Sequence, residues 1–202
     1  MRYHACITRS IIIIYFICTA SAGIAQFKAG SVNWTKDGTG LYEIQDNMLL
    51  RINPLSAQQV TVLATATQLT PREKDKPLTI ADFEISPDEN ILLIFTNTAR
   101  VWRYNTRGDY WILNRGTGQL KQIGKDKPSQ SLMYAKLSPD GKKVGYVSNH
   151  NIYTEDIDSG NTIALTTNGN RQLINGTIDW AYVEELGCRD GFRWSGDSKN
   201  IA

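Results

Sequence analysis

The sequence has very few of the residues that bind metals or form covalent cross-links. It contains three cysteines and two histidines in 202 residues. Cys6 and Cys18 lie in the apolar N-terminal segment, so a chain cleaved after that segment keeps only Cys188 and forms no internal disulfide. Cys188 is interpreted as a small packed or half-exposed residue, and the alternative is a nucleophile activated by His150. No cysteine and histidine set has zinc-site spacing, so neither a metal nor another cofactor is implied.

An excess of charge of one sign is also missing. The chain has 22 Lys and Arg against 20 Asp and Glu, and cleavage after Ala25 would remove Arg2 and Arg9 and leave 20 of each. Neither sign is gathered into a run. Because nucleic acids are bound through clustered basic side chains, we predict no nucleic-acid partner.

Long apolar runs are absent except at the N-terminus. Two arginines precede an apolar stretch at residues 11–20, and small residues follow it. This pattern is typical of a secretory signal peptide, so we predict a signal at residues 1–25 and export of residues 26–202. The run is short for a membrane-spanning helix, which needs about 20 apolar residues. The alternative is an uncleaved anchor, so the predicted location is periplasmic, secreted or membrane-anchored.

One turn motif recurs at intervals of about fifty residues. Its four copies contain Asp37, Asp88, Asp140 and Asp197, which are separated by 51, 52 and 57 positions. Pro and Gly beside the aspartates favour the backbone angles of a turn. Short apolar strands, such as residues 91–95 and 143–147, follow the turns and give about four strands per repeat.

Four-stranded repeats of this length are typical of β-propeller blades. We predict an all-β fold, a partial β-propeller of about three to four four-stranded blades, preceded by a signal peptide. The alternative is an all-β sandwich with similar turns. Because the sequence stops at Ile201 and Ala202, inside an expected strand, we expect the chain to be the N-terminal part of a longer protein.

The longest interval between turns contains two adjacent acids in an aromatic-rich segment. Glu184 and Glu185 follow Trp180 and Tyr182. Carboxylates attract a ligand amine most strongly in a partly dry site, because Coulomb attraction grows as the effective dielectric falls. The aromatic side chains could supply a dry wall for such a site. The alternative is that the two acids only begin a solvated turn or short helix.

This segment resembles the amine-binding element in the β-propeller of the dipeptidyl peptidase IV family of prolyl oligopeptidase-type serine peptidases. The family pattern is D-W-V-Y-E-E-E, followed by L-G-x-R-D-G-F-R-W-S-P-D-G. The resemblance implies that Glu184 and Glu185 grip the N-terminal ammonium of a peptide. Two positions depart from the pattern, because Val183 replaces the first Glu and Gly196 replaces the Pro.

A second segment, residues 99–104, resembles the Q-W-R-x-S segment of the same family. The resemblance implies that Arg103 holds a backbone carbonyl of the substrate. A guanidinium suits this role because it offers a rigid fork of hydrogen-bond donors. The alternative is a surface arginine stacked on an aromatic side chain of the strand.

The resemblance implies the propeller portion of an exported serine dipeptidyl peptidase. Such a hydrolase carries out proteolysis by releasing dipeptides, commonly after Pro or Ala, from a peptide substrate with a free N-terminus. Its catalytic triad belongs to a C-terminal α/β-hydrolase domain, which we expect beyond this chain, and intact members often form homodimers. The alternative is a non-catalytic exported propeller that binds peptides or proteins, because similar turns occur in such propellers.

We predict that the 202-residue chain alone has no peptidase activity. A serine nucleophile elbow needs the pattern G-x-S-x-G on a strand-to-helix turn, and no serine of this sequence lies in that pattern. A chromogenic Gly-Pro substrate incubated with the purified chain should release no more product than a buffer blank. Release that a serine-directed inhibitor abolishes would contradict the prediction.

Overall fold

The structure, a computed structural model, describes residues 33–202, except for the side chains of Ala57 and Gln58. The predicted signal peptide at residues 1–25 lies outside the described residues, as do residues 26–32 of the predicted propeller. The described part contains twelve strands and one short helix. The prediction of an all-β fold is therefore confirmed.

The first sheet is an antiparallel meander of four strands in chain order. Its strands are β1 (Asn33–Trp34), β2 (Leu41–Gln45), β3 (Met48–Asn53) and β4 (Ser56–Ala64). Asp46 and Asn47 connect β2 to β3 with φ angles of 50° and 57°. Positive φ at both central residues is what a tight two-residue hairpin requires, and Asp and Asn tolerate it.

The other eight strands form one sheet made of two further meanders. They are β5 (Asp82–Ile85), β6 (Ile91–Val101), β7 (Tyr104–Asn114), β8 (Gln119–Ile123), β9 (Leu132–Leu137), β10 (Lys143–Ser148), β11 (Asn151–Asp156) and β12 (Thr162–Ala164). The meanders join where Arg107 and Gly108 of β7 pair with Met133 and Leu132 of β9. A Cβ at Gly108 would lie 2.4 Å from the ring of Phe95, so this close approach requires glycine.

The β6–β7 hairpin buries both of its faces. Successive side chains of a strand point to opposite sides of the sheet, so neighbouring residues of β6 and β7 enter two different cores. The core shared with the first meander contains Leu49, Leu63, Leu69, Leu78, Leu92, Ile94, Trp111 and Leu113. The core shared with the third meander contains Leu93, Tyr110, Ile112, Ile123, Leu132, Leu137, Val144, Tyr146 and Ile157. Burying one leucine or isoleucine side chain stabilises the folded state by about 1.5–3 kcal/mol. Because the hairpin supplies such side chains to both cores, it stabilises both of them.

The repeated turn has the same hydrogen bonds in all four copies. In the third copy, the Ser138 hydroxyl donates to Asp140 Oδ1 at 2.7 Å and accepts from the Lys143 N–H at 2.9 Å. Asp140 Oδ1 also accepts from the Lys142 N–H at 3.1 Å. The same bonds surround Asp37, Asp88 and Asp197. In each four-stranded repeat, a turn fixed by local side chains therefore joins the first strand to the second.

The residue after each turn aspartate has a positive φ, a conformation that favours glycine. These residues are Gly38 (69°), Glu89 (57°), Gly141 (69°) and Ser198 (62°). The two side chains at these positions join neighbouring repeats. Glu89 accepts from the Tyr42 hydroxyl at 2.9 Å and lies 3.4 Å from Arg51 Nη1, and Ser198 Oγ accepts from the Asp140 N–H at 3.0 Å. These contacts offset the backbone strain.

We expect the free energy of unfolding to fall as the pH falls from about 4 towards 2. The hydrogen bond from Thr35 is the main cause that lowers the pKa of Asp37 from 3.8 to about 2. Hydrogen bonds from the equivalent serines lower the pKa values of Asp88, Asp140 and Asp197. Because the unfolded state then takes up protons at a higher pH, this stability is present above the unfolded pKa and is lost as the pH falls through the folded pKa. Urea unfolding midpoints measured across this range test the expectation.

Asp140→Asn provides the matched control. The variant keeps an acceptor oxygen for Ser138 but cannot titrate, so its urea midpoint should change less with pH than that of the parent. Identical pH dependence in the two proteins would show that Asp140 contributes nothing to the acid sensitivity.

Candidate functional site

Arg103 lies at the tip of the β6–β7 hairpin. Val101 and Tyr104 form the last pair of the ladder and leave Trp102 and Arg103 as a two-residue turn. Trp102 has a φ of 56°, and its carbonyl accepts a hydrogen bond from Arg100 Nε at 2.9 Å. Both strands are 11 residues long and extend past their buried parts. The Arg103 side chain is therefore 70% exposed.

Glu184 and Glu185 lie at the end of a short helix, α1 (Trp180–Glu185). Asp179 caps the helix, because its Oδ1 accepts a hydrogen bond from the Tyr182 N–H at 3.1 Å. None of the helical residues is buried as a whole. No helix in the described part of the chain has the length and apolar character needed to cross a bilayer.

The helix belongs to an inserted segment, residues 177–190, that leaves and rejoins the fold at one place. Thr177 and Asp190 form an isolated antiparallel bridge at its base. Gly187, with a φ of 66°, ends the helix and turns the chain back. The insertion explains why the interval between the last two turn aspartates is the longest of the three.

Glu184 and Arg103 form an ion pair across 81 residues of sequence, with 2.8 Å between Oε2 and Nε. The Glu184 side chain is only 2% exposed. The distance suits a hydrogen bond but the angular geometry does not, so neither carboxylate oxygen has a hydrogen-bond partner within residues 33–202. The pair is therefore electrostatic, and the buried carboxylate keeps its capacity to accept hydrogen bonds.

The structure does not bring Glu185 into this pair. Glu185 is exposed, and no ion pair of the described residues includes it. Adjacent residues of a helix are about 100° apart around its axis, so Glu185 points away from the direction in which Glu184 meets Arg103. Trp180 and Tyr182 are 53% and 50% exposed, so the expected aromatic wall is half open to solvent.

Two cavities flank the inserted segment. The first, of about 770 Å³, is bordered by Trp180, Val183 and Trp102. The second, of about 700 Å³, has a charged border formed by Asp82, Glu84, Lys136, Arg189, Asp190 and Arg193. Thr106 and Tyr134 border both cavities. Cavities of this size suit small ligands, and no group of three His, Cys, Asp or Glu side chains among residues 33–202 is arranged to hold a metal ion.

Contacts that the sequence did not predict hold the C-terminal end of the inserted segment. The Asp190 carboxylate pairs with Lys136 Nζ and, at 2.8 Å, with Arg193 Nη1. Burial alone would raise the pKa of Asp190, but hydrogen bonds from both bases lower it. The Arg189 guanidinium stacks on the Tyr104 ring at 3.6 Å. Of these contacts, a local sequence pattern could have indicated only the Asp190–Arg193 pair, whose members are three residues apart. Lys136 and Tyr104 are distant in sequence from their partners.

Three four-stranded meanders and the Trp194–Ile201 bridge of a fourth repeat define a segment of a β-propeller. The crystal structure of Porphyromonas gingivalis dipeptidyl peptidase 4 has this fold, with a TM-score of 0.75 and 24% identity over 86% of this chain and 24% of that chain. The family model of the dipeptidyl peptidase IV (DPP IV) N-terminal region matches residues 86–202. The chain belongs to this family, and the predictions of the family and of a partial propeller are confirmed.

Two relatives are much longer than this chain. It is 27% identical to human prolyl endopeptidase FAP over 182 residues, which are 89% of this chain and 23% of the relative. It is 35% identical to Saccharomyces cerevisiae dipeptidyl aminopeptidase B over 118 residues, which are 58% of this chain and 14% of the relative. The chain thus spans about a quarter or less of the length of these proteins.

Asp179→Ala should loosen α1. Loss of an N-cap acceptor costs about 1 kcal/mol, so the Tyr182 amide should exchange with deuterium roughly fivefold faster. Asp179→Asn retains an acceptor oxygen and should exchange at nearly the parental rate. Hydrogen exchange followed by NMR measures the difference, and equal Tyr182 rates in all three proteins would contradict the role of the cap.

Proposed function

We propose that the chain is the N-terminal propeller region of an exported serine dipeptidyl peptidase. In this proposal Glu184 and Glu185 hold the N-terminal ammonium of a peptide, and Arg103 holds a peptide carbonyl. The observation that carries the proposal is the Glu184 carboxylate. It is buried, lies 2.8 Å from Arg103, and has both oxygens free of hydrogen bonds within the described residues.

An ammonium group matches these unused acceptors. It has three N–H donors and one positive charge, so it can donate to a carboxylate while replacing the solvent that burial removed. Charged hydrogen bonds are among the strongest in proteins, and they strengthen as the local dielectric falls. Glu185 lies beside Glu184 and is exposed, which leaves its carboxylate accessible to the same ligand.

Arg103 supplies the complementary donors. A guanidinium has five N–H groups, and the 70% exposure of this side chain leaves most of them accessible from solvent. A peptide backbone carbonyl next to the terminal amine would therefore find a donor beside Glu184. The exposed faces of Trp102 and Trp180 border the adjacent cavity and offer apolar surface to the peptide side chains.

In this proposal the propeller binds the peptide amine and thereby sets the length of the product. Fixing the amine at the propeller sets the length of peptide that reaches the nucleophile, so dipeptides are released, commonly after Pro or Ala. The nucleophilic serine would belong to a hydrolase domain beyond this chain. Holding the substrate in this way also converts a bimolecular reaction into an effectively unimolecular one.

We also propose export of the protein through the segment at residues 1–25, with a periplasmic, secreted or membrane-anchored location, and a homodimer for the intact enzyme. The support is the charged and apolar pattern of that segment, and the family to which residues 86–202 belong.

Glu184→Gln and Glu185→Gln should each raise KM for a Gly-Pro substrate about tenfold or more, with little change in kcat. The reason is that a buried ammonium loses one charged acceptor. The measurement is steady-state kinetics of the whole protein that carries this chain and its hydrolase domain.

Glu73→Gln, at an exposed acid that borders neither of the two cavities, is the matched control and should leave KM unchanged. An N-acetylated substrate, which lacks the ammonium, should be hydrolysed poorly by all variants. Unchanged kinetics for both site variants would remove the amine-binding role. Absence of dipeptide release by the whole protein would favour a non-catalytic binding propeller instead.

A further inference from the structure

The inserted segment has little apolar packing of its own. Helix α1 has six residues and no buried residue, and a helix of this length is unstable without tertiary contacts. A Cβ at Gly187 would meet no atom within 4 Å, so the chain after the helix is also loosely surrounded. The orientation of Glu184 must therefore depend on specific contacts made by the segment.

Two side-chain contacts tie the segment after the helix to the second and third meanders. Asp190 is bound by Lys136 of β9, which fixes the base of the segment to the third meander. Arg189 stacks on Tyr104, with 3.6 Å between its guanidinium carbon and the ring centroid. Tyr104 is the residue immediately after Arg103, so this second contact ties the segment to the hairpin that carries Arg103.

The ion pair between Arg103 and Glu184 is shielded from solvent on one side only. Glu184 is 2% exposed but Arg103 is 70% exposed, so water and salt weaken the attraction at the arginine. The Arg189 guanidinium is also exposed, but its stacking on Tyr104 is a second contact between the same two elements and restricts their relative orientation.

We propose that Arg189, stacked on Tyr104, is a positioning residue that fixes the separation of Arg103 and Glu184 and thereby sets the affinity of the site for a peptide amine. The inference rests on the proposed function of Glu184. Arg189 acts through the hairpin and the helix, so it changes substrate binding and leaves the chemical step unchanged.

Steady-state kinetics with a Gly-Pro substrate test the proposal in the whole protein that carries this chain. Arg189→Met should raise KM roughly twofold to fivefold, the range expected for loss of an exposed cation–π contact, with kcat unchanged. Tyr104→Leu should raise KM to a similar extent. Arg189→Lys keeps a cation and Tyr104→Phe keeps the ring, so both should restore most of the affinity. Arg171→Met, at an exposed arginine in another loop, is the matched control.

A double-mutant cycle separates positioning from a general loss of stability. In a Glu184→Gln background, Arg189→Met should have almost no further effect on KM, because its effect passes through Glu184. The change in thermal unfolding midpoint caused by Arg189→Met should be no larger than the change caused by Arg171→Met.

The outcomes distinguish the inference from the function on which it rests. If Glu184→Gln raises KM but neither Arg189→Met nor Tyr104→Leu does, the positioning role is wrong and the amine site stands. An additive effect of Arg189→Met in the Glu184→Gln background also overturns the positioning role. If Glu184→Gln leaves KM unchanged, the amine site itself is wrong, and the inference fails with it.

Discussion

Burial of both faces of the β6–β7 hairpin is the constraint on which the described structure depends. Leu92 and Ile94 enter one core while Leu93 enters the other, so the same two strands join three successive meanders. The strands continue past these cores and present Arg103 in the turn at their tip. A single alternating apolar pattern therefore both stabilises the propeller segment and places the charged end of the candidate site.

The recurring turns are stabilised by the same local hydrogen bonds in every repeat. A hydroxyl and a carboxylate two residues apart bind the N–H groups of the turn and stabilise its sharp change of direction. Because these bonds are made within five residues, they repeat without reference to the rest of the fold. Glu89 and Ser198 add contacts between repeats at positions where glycine would suit the backbone better.

The candidate site differs from the propeller in what holds it. The meanders are stabilised by apolar packing, whereas the inserted segment depends on a cap, ion pairs and a cation–π contact. Polar contacts of this kind are directional, so they fix orientation more than they add stability. This arrangement suits a site that must present one carboxylate at a set distance from a guanidinium and still admit a ligand.

The sequence by itself determined the repeat, the turn positions, the all-β class and the family, because these depend on short-range patterns of apolar and turn-forming residues. It also pointed to Arg103, Glu184 and Glu185, although their roles stay predictions. Only the tertiary structure decided that Glu184 is buried against Arg103 while Glu185 is exposed, and that Arg189 stacks on Tyr104. The physical reason is distance along the chain: these contacts join residues about eighty positions apart, and no local pattern encodes which side of a six-residue helix faces a remote hairpin.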